Sequence, residues 1–484
     1  MFCAPVSCES LTRASPALCE LGAMSTRSPL VRAGIWLAEM AERWFPDAFV
    51  FALLGVVLTF FGGLALGETP MAMAKAGGSS FWELVPFTMQ MAMVIIGGFV
   101  VASSPAMVKL IRYLARVPKT SRGAVGYVAA IAMLTSLISW GLSLIFTGLL
   151  VREICRLLPK VDYRAISAAA YLGLGSVWAF GLSSSAALLQ ATPSAIPPEL
   201  MKVTGVIPLS QTLFLWQSIL CCTLLFVVSV ALAYFSCPPD DQAKTQADLG
   251  IDYKPLETEI EPRQTPGEWL DYSRILPIAV VVICLPYLYD ILREKGPMHA
   301  LDLNTFNLIF ILAGLILHGT PRSFGKAVSA SVPATSGVLI QFPFYAVIFG
   351  MISKTSIGHF LGQLCVSLST KATFPILVAA YSAFLGMLVP SGGGKWVIEA
   401  PYVMAAANAH QVHLGWTVQI YNAAEALPNL LNPFWMLPLM GILSVRTREL
   451  AGFSILQLLV HAPLIFLLTW ALSYTLPYSP PVMP

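Results

Sequence analysis

Long apolar runs that contain almost no charge constrain this chain more than any other feature of its sequence. The stretch from Phe45 to Leu66 carries Asp47 as its one charged residue, and the stretch from Gln211 to Phe235 carries none. About 20 such residues cross the hydrocarbon core of a bilayer as one helix. Charged residues make up 11% of the chain, less than half of the roughly 25% usual for soluble domains. The sequence therefore predicts an all-α polytopic membrane protein and excludes a soluble protein with a large core.

Apolar stretches that are candidates for membrane spans follow one another along the chain. They cover residues 45–66, 82–102, 123–151, 165–191, 211–235, 275–291, 304–318, 327–352, 372–408, 420–443 and 453–476. Two of them, 123–151 and 372–408, are awkward in length, the first being long for one helix and short for two. Each contains a polar, glycine-bearing break, at residues 140–143 and 390–394. We therefore expect broken helices or re-entrant hairpins at these two places.

Basic residues flank the first of these long stretches on both sides. They are Lys109, Arg112, Arg116, Lys119 and Arg122 before it and Arg152, Arg156, Lys160 and Arg164 after it. Positively charged loops concentrate on the cytoplasmic side of a membrane. A segment that enters the membrane, turns at residues 140–143 and leaves on the same side keeps both basic flanks on the cytoplasmic side. A single crossing would place them on opposite sides of the membrane. The pattern therefore favours a re-entrant hairpin.

The two halves of the sequence resemble each other at an offset of roughly 250 residues. The matching positions, in order, are Thr69-Pro70 with Thr320-Pro321, Lys75 with Lys326, Gln90 with Gln341, Trp140 with Pro390 and Tyr171 with Tyr421. This order indicates gene duplication, and transporters commonly use two inverted repeats around a site at the membrane midplane. We predict a first membrane repeat over residues 32–235, a second over 275–484, and a polar, solvated linker over 236–274 that is too rich in Asp, Glu and Pro to fold alone.

The N-terminal region, residues 1–31, is predicted to be a tail outside the membrane. Residues 1–23 lack the compact apolar core of a signal peptide. Met24 gives a more natural start, after which Arg27, Arg32 and Arg43 would hold this end in the cytoplasm. A genuine disordered tail that begins at Met1 is the alternative.

Several classes of function lack the signals that they require. The net charge of +3 is small and no basic face is evident, so no nucleic-acid partner is indicated. The nine cysteines show no spacing typical of a metal site and are expected to be packing residues or reduced thiols. No Walker loop, hydrolase motif or dinucleotide fingerprint occurs, so we expect no cofactor and neither ATP-driven transport nor an enzyme.

The paired breaks predict a substrate site, because bare backbone at membrane depth is tolerated only where it is buried in protein or lines a cavity. Helix N-termini that meet there provide hydrogen-bond donors for a small anion without a lone buried cation. The candidate substrate contacts, from these breaks and from two further ones, are Trp140, Gly141, Ser143, Ser183, Ser184, Ser185, Ser391, Gly392, Gly393, Gly394, Lys395, Asn429 and Asn432. For each isolated Ser or Gly, close helix packing is the alternative.

Charged and amide side chains near the breaks are candidates for ion coupling. Lys395 and Glu399 share a helix face at i,i+4 spacing, and they form either a substrate and coupling pair or a purely structural one. Glu425 reads as an isolated intramembrane carboxylate, which suits a proton relay or cation coupling. Gln90 and Gln341 occupy matching repeat positions and are also candidate substrate contacts, and interhelical hydrogen bonding explains them equally well.

Seven sequence motifs carry a resemblance to a known family. They are Arg43-Trp44-Phe45-Pro46-Asp47, Phe87-Thr88-Met89-Gln90-Met91-Ala92, Ser139-Trp140-Gly141, Ala191-Thr192-Pro193, Leu303-Asn304-Thr305, Gln341-Phe342-Pro343-Phe344-Tyr345 and Val389-Pro390-Ser391-Gly392-Gly393-Gly394. Together they make the chain, from about Arg32 to Leu476, resemble the short-chain fatty acid transporter family. That family is similar in layout to a wider group of ion transporters with inverted repeats and re-entrant hairpins, which agrees with the organisation described above.

The resemblance implies uptake of short-chain monocarboxylates, such as butyrate and acetoacetate, across the bacterial cytoplasmic membrane by a secondary carrier that is coupled to a proton or sodium. A dicarboxylate or amino-acid carrier of the wider group is the alternative, which more than one buried cation near the breaks would favour. Two further alternatives, from outside the class of carriers, are an ion channel and an intramembrane enzyme. The sequence leaves the coupling ion, the chain length of the substrate and a possible homo-oligomer open.

Overall fold

The computed structural model describes residues 48–252, 263–388 and 391–483, and its regular elements there are helices, with no strand among them. Seven helical stretches of the described residues are long and apolar enough to cross a membrane, and two of them combine consecutive helices. The prediction of an all-α polytopic membrane protein is confirmed. The N-terminal tail, the alternative start at Met24, Pro390 and the acidic middle of the linker lie outside the described residues.

The first half of the chain forms ten α-helices between residues 48 and 236. They are α1 (Ala48–Ala65), α2 (Pro70–Ser80), α3 (Val85–Ala102), α4 (Pro105–Leu114), α5 (Ser121–Ile138), α6 (Trp140–Leu157), α7 (Tyr163–Leu172), α8 (Ser185–Ala191), α9 (Pro198–Thr204) and α10 (Trp216–Ser236). A π-helical turn, Gly173–Val177, and a 3-10 turn, Trp178–Phe180, continue α7 before the chain unwinds.

The second half forms ten more α-helices after the linker. They are α11 (Ile275–Ala300), α12 (Leu303–His318), α13 (Pro321–Ser331), α14 (Ser336–Ser353), α15 (Ser356–Leu368), α16 (Phe374–Leu388), α17 (Gly392–Ala409), α18 (Leu414–Asn429), α19 (Pro433–Leu443) and α20 (Thr447–Ser473). The helices α2 to α7 recur as α13 to α18 at the offset seen in the sequence.

The repeated Thr-Pro motif has the same structural role in both halves. Thr69 caps α2 by accepting a hydrogen bond from the amide of Ala72, and Thr320 caps α13 by accepting one from the amide of Ser323. In both helices a proline occupies the first turn, where its missing N–H costs nothing. The sequence repeat is therefore also a repeat of local structure.

The first predicted break separates α5 from α6 at Ser139, one residue before the predicted turn. Ser139 is extended, with a φ of −155°, and its hydroxyl accepts a hydrogen bond from the amide of Leu142 at 3.3 Å. The two helices pack along each other. Ser143 anchors this pairing, because its hydroxyl donates to the carbonyl of Ala132 at 2.7 Å.

The unwound segment that follows α7 lies against the break at Ser139. The amide of Leu182 donates to the carbonyl of Leu137 at 2.7 Å. A Cβ atom on Gly181 would stand 2.6 Å from the Cα atom of Leu137, so this close approach requires glycine. The sequence reads this region as a second break, and the structure brings it beside the first.

The linker contacts the membrane part of the chain at its beginning. The buried carboxylate of Asp162 accepts a hydrogen bond from the amide of Lys244 at 2.9 Å, and the amide of Tyr163 donates to the carbonyl of Lys244 at 2.8 Å. Leu249 and Ile251 pack against the hydrophobic core. This part of the linker is therefore attached to the first half rather than being only a solvated connector.

Candidate transport site

A cavity of about 390 Å³ lies where the two halves of the chain meet. Residues from α3, α6, α14 and α19 line it, together with Phe49 of α1, the 3-10 turn Val332–Thr335 and Ser391. The lining set is Phe49, Ile95, Phe99, Trp140, Gly141, Leu144, Ile145, Pro333, Ala334, Ser336, Gly337, Val338, Ile340, Gln341, Phe342, Ser391, Trp435 and Pro438. Among the predicted contacts, the structure brings Trp140, Gly141, Ser391 and Gln341 together here.

Residues at two helix N-termini line this cavity. Trp140 and Gly141 are the first residues of α6, and Ser391 is the N-cap of α17. The Ser391 hydroxyl accepts a hydrogen bond from the amide of Gly394 at 3.2 Å. Because a helix N-terminus carries unsatisfied N–H groups and a partial positive charge, two of them make this end of the cavity favourable for an anion.

Gln341 provides an amide group on the opposite wall. Its side chain is 5% exposed, and its Oε1 accepts a hydrogen bond from the hydroxyl of Tyr345 at 3.1 Å. This contact orients the amide and leaves its nitrogen as the donor. The remaining walls are mostly aliphatic and aromatic, and Trp140 packs edge-on against Trp435 with ring centroids 5.6 Å apart.

Aromatic rings cover the three glycines at the start of α17. A Cβ atom added at Gly392, Gly393 or Gly394 would stand 2.4 Å from the ring of Trp178, 2.5 Å from that of Phe87 or 2.4 Å from that of Tyr345. These glycines thus permit close packing over the first turn of α17. Among the described residues of this break, Ser391 lines the cavity.

Gly393→Ala is expected to lower transport about tenfold, because the new methyl group pushes Phe87 and Ser185 away from α17 and overpacking of this kind costs about 1–3 kcal/mol. Initial uptake rates at equal amounts of protein in the membrane measure this. Gly62→Ala is the matched control, since an added Cβ at Gly62 meets no atom within 4 Å. Equal uptake by both variants would show that the close packing at Gly393 is dispensable.

Other predicted substrate contacts lie away from the cavity walls. Ser183 accepts a hydrogen bond from the amide of Trp140 at 2.9 Å and so positions the start of α6. Ser184 is buried, and its hydroxyl has no hydrogen-bond partner among the described residues. The residues that do not line the cavity are Ser143, Ser183, Ser184, Ser185, Gly392, Gly393, Gly394, Lys395, Asn429 and Asn432.

Gln90, the repeat counterpart of Gln341, also lies outside the cavity. Its side-chain nitrogen donates to the Oδ1 atom of Asn304 at 2.6 Å, and its backbone carbonyl accepts from the side chain of Asn307 at 2.8 Å. Gln90 therefore joins α3 to α12. The duplicated glutamines have acquired different positions relative to the cavity.

Three charged side chains form a fully buried cluster: Lys395 and Glu399, which follow Ser391 by about one and two turns of α17, and Glu425 of α18. The ammonium of Lys395 contacts Oε1 of Glu399 at 3.1 Å and Oε2 of Glu425 at 2.5 Å, and it donates to the carbonyl of Ser382 at 2.6 Å. It also lies 4.6 Å from the ring centroid of Tyr421. The predicted i,i+4 pair is confirmed, but the view of Glu425 as isolated is wrong, because α18 packs beside α16 and α17 and delivers it to Lys395.

Two side chains that the sequence analysis did not select connect this cluster to the rest of the site. Ser382 of α16 donates to Oε2 of Glu399 at 2.5 Å, and the hydroxyl of Tyr421 donates to the carbonyl of Gly392 at 2.6 Å. Tyr421 was detectable as the repeat counterpart of Tyr171, whose hydroxyl donates to the carbonyl of Asn429 at 2.9 Å. Ser382 gives no signal of its own in an apolar span.

Comparison with known proteins identifies the family and the fold of this chain. The sequence profile of the Short chain fatty acid transporter family matches residues 30–472. A protein of Escherichia coli (strain K12) named for short-chain fatty acid transport is 35% identical over 88% of this chain and 96% of its own length. A protein of Haemophilus influenzae with the same name is 30% identical over 90% of this chain and 98% of its own length.

Solved structures show where the fold recurs. The YdaH transporter of Alcanivorax borkumensis, whose topology is described as unusual, has a TM-score of 0.59 at 14% identity and covers 90% of this chain and all of its own. Neisseria gonorrhoeae MtrF, which is described as one of a class of antimetabolite efflux pumps, has a TM-score of 0.54 at 13% identity. The match covers 93% of this chain and 100% of MtrF. At these identities the likeness concerns the fold alone.

The apolar helices and the family match together define a multi-pass membrane transport protein. Within that class, the match over nearly the whole chain and the two relatives at 30% identity or more make the assignment specific. The chain belongs to the short-chain fatty acid transporter family.

Proposed function

We propose that this protein is a secondary active carrier that takes up short-chain monocarboxylates, such as butyrate and acetoacetate, across the bacterial cytoplasmic membrane together with a cation. The observation that carries the proposal is the cavity of about 390 Å³ at which the N-termini of α6 and α17 meet. The names of the two curated relatives support the same class of substrate.

The chemistry of the cavity suits a small anion with one charge and an apolar tail. The carboxylate would lie between the start of α6 and Ser391, where N–H groups, the Ser391 hydroxyl and the Gln341 amide can donate hydrogen bonds. The alkyl chain would pack against Phe99, Leu144 and neighbouring apolar walls. Burial of each CH₂ group contributes about 0.8 kcal/mol, so the apolar walls favour butyrate over acetate.

The absence of cations from the cavity favours a monocarboxylate over the alternative substrates. The described lining residues include no Lys, Arg or His, and Lys395 is fully engaged with its own carboxylates. A dicarboxylate would bring a second negative charge that nothing on these walls matches. Alternating access would follow if the helices that bear the breaks move against the rest of the repeats, which we propose to be inverted about the cavity.

Uptake of radiolabelled butyrate and acetoacetate into proteoliposomes tests the proposal. Protein-free vesicles give the background, because butyric acid crosses lipid unaided. We expect saturable uptake above that background, driven by an imposed proton or sodium gradient and insensitive to excess succinate. Inhibition by succinate without uptake of either monocarboxylate would move the assignment to a dicarboxylate carrier, and uptake that never saturates would indicate a channel.

A further inference from the structure

The buried cluster of Lys395, Glu399 and Glu425 holds one positive charge and two potential negative charges. All three side chains are 0% exposed. The other titratable groups that face them are neutral in their ordinary state: Tyr421 on α18, Tyr345 on α14, Tyr381 on α16, Tyr402 on α17 and Cys365 on α15. One ammonium neutralises one carboxylate, so an unbalanced negative charge would remain in the protein interior. Such a charge is costly, and it calls for a further cation.

The oxygens of the cluster differ in how well they are satisfied. Oε2 of Glu399 accepts a hydrogen bond from the hydroxyl of Ser382, and Oε1 of Glu399 contacts the Lys395 ammonium. Oε1 of Glu399 and both oxygens of Glu425 are buried without a hydrogen-bond partner among the described residues. The Lys395 ammonium contacts Oε1 of Glu399 and Oε2 of Glu425, which leaves Oε1 of Glu425. Glu425 therefore presents the atom at which a further cation would bind.

A proton fits this position better than a metal ion. The Lys395 ammonium already occupies the place among the oxygens of Ser382, Glu399 and Glu425 where a metal cation would be coordinated. The described residues contain no group of three or more His, Cys, Asp or Glu side chains arranged to hold a metal. A proton needs only one oxygen, and a protonated carboxyl group beside a Lys–Glu pair leaves the cluster with no net charge.

We propose that Glu425 carries the proton that is coupled to transport, at a site separate from the substrate cavity. This inference rests on the proposed function. One proton binds to Oε1 of Glu425 from one side of the membrane and leaves to the other side, and no other bond is made or broken. One proton moving with one monocarboxylate anion transfers no net charge across the membrane.

Helix α17 connects the proton site to the cavity. Ser391 caps this helix at the cavity wall, and Lys395 follows about one turn later. Tyr421, one turn before Glu425 on α18, holds the first turn of α17 through the carbonyl of Gly392. Protonation of Glu425 removes one of the two charges that hold Lys395, so it changes how α17 is held between α16 and α18. The substrate meets that same helix at its N-terminus.

Transport by proteoliposomes distinguishes net, proton-driven accumulation from exchange of internal for external acetoacetate. We expect the wild-type protein to accumulate acetoacetate when a pH gradient is imposed, to ignore a sodium gradient, and to change its rate less than about twofold under an imposed potential. Glu425→Gln fixes the cluster at the charge of its protonated form, and Glu399→Gln leaves Glu425 as the one carboxylate that balances Lys395, which keeps Glu425 ionised. Both variants are expected to lose accumulation while exchange stays within about threefold of wild type.

Glu199→Gln is the matched control, because Glu199 forms a surface pair with Lys202 far along the chain from the cluster, and it is expected to accumulate normally. Accumulation by Glu425→Gln that responds to a pH gradient as the wild type does would overturn the proposal. Wild-type uptake driven by sodium and not by protons would also overturn it, even if the variants failed to fold. Absence of exchange in the wild type would instead refute the proposed function itself.

Discussion

Lys395→Ala is expected to be the most damaging single substitution in this protein, with a loss of about 3–5 kcal/mol of stability and of all measurable uptake. The change leaves Glu399 and Glu425 facing each other, fully buried, without the ammonium that contacts both. Removing one partner of a buried ion pair is costly because the remaining charge is neither solvated nor compensated. Thermal unfolding in detergent, followed together with the amount of protein in the membrane, measures the loss.

Multiple substitutions test whether the cluster contains two charges or three. If Lys395 and Glu399 were chiefly each other's partners, Lys395→Ala combined with Glu399→Ala would restore stability. Because Glu425 also contacts Lys395, we expect this double variant to be only partly restored and the triple variant Lys395→Met, Glu399→Gln, Glu425→Gln to approach wild-type stability. Full recovery in the double variant would contradict the three-charge cluster.

Lys354→Ala is the control for the effect of removing a lysine from an ion pair. Lys354 pairs with Glu83, and both side chains are more than a quarter exposed. Partly exposed pairs of this kind contribute about 1 kcal/mol or less, since water and salt screen them. We therefore expect Lys354→Ala to change stability little in comparison with Lys395→Ala.

Gln341→Ala is expected to lower kcat/KM for butyrate by about tenfold to a hundredfold with little change in expression. The side chain lies on the cavity wall, and its amide is oriented by Tyr345. A hydrogen bond to a charged group contributes about 1.5–3 kcal/mol, and each 1.4 kcal/mol corresponds to about a factor of ten. Initial rates of uptake over a range of butyrate concentrations give the ratio.

The internal repeat provides the control for this variant. Gln90→Ala changes the same residue type at the matching position, where the side chain is hydrogen-bonded to Asn304 outside the cavity. We expect it to alter kcat/KM less than about threefold. Equal losses in the two variants would show that the duplicated glutamines act alike and that the position of Gln341 on the cavity wall has no special importance.

The helical architecture and the positions of the breaks were predictable from the sequence, because both depend on local patterns. Apolar length defines a span, and a polar break with glycine inside such a span has few structural explanations. The structure places the first break at Ser139, one residue before the predicted turn, since the serine hydroxyl caps α6. The Thr-Pro caps of α2 and α13 were likewise predictable from the internal sequence repeat.

Contacts between distant helices were not predictable, because no local pattern encodes them. The i,i+4 spacing predicted the pair of Lys395 and Glu399, but the contact of Lys395 with Glu425 depends on how α18 packs beside α17. Packing likewise decides that Ser143 bonds to α5 while Ser391 lines the cavity. The side-chain type alone does not separate these two serines.

Crystallography with 4-bromobutyrate, whose bromine marks the ligand through anomalous scattering, tests the central claim most directly. We predict one bromine site in the apolar part of the cavity near Phe99 and Leu144, with the carboxylate between Gly141, Ser391 and Gln341. A ligand whose carboxylate instead contacts Lys395, or which lies outside the space between α6 and α17, would contradict this account.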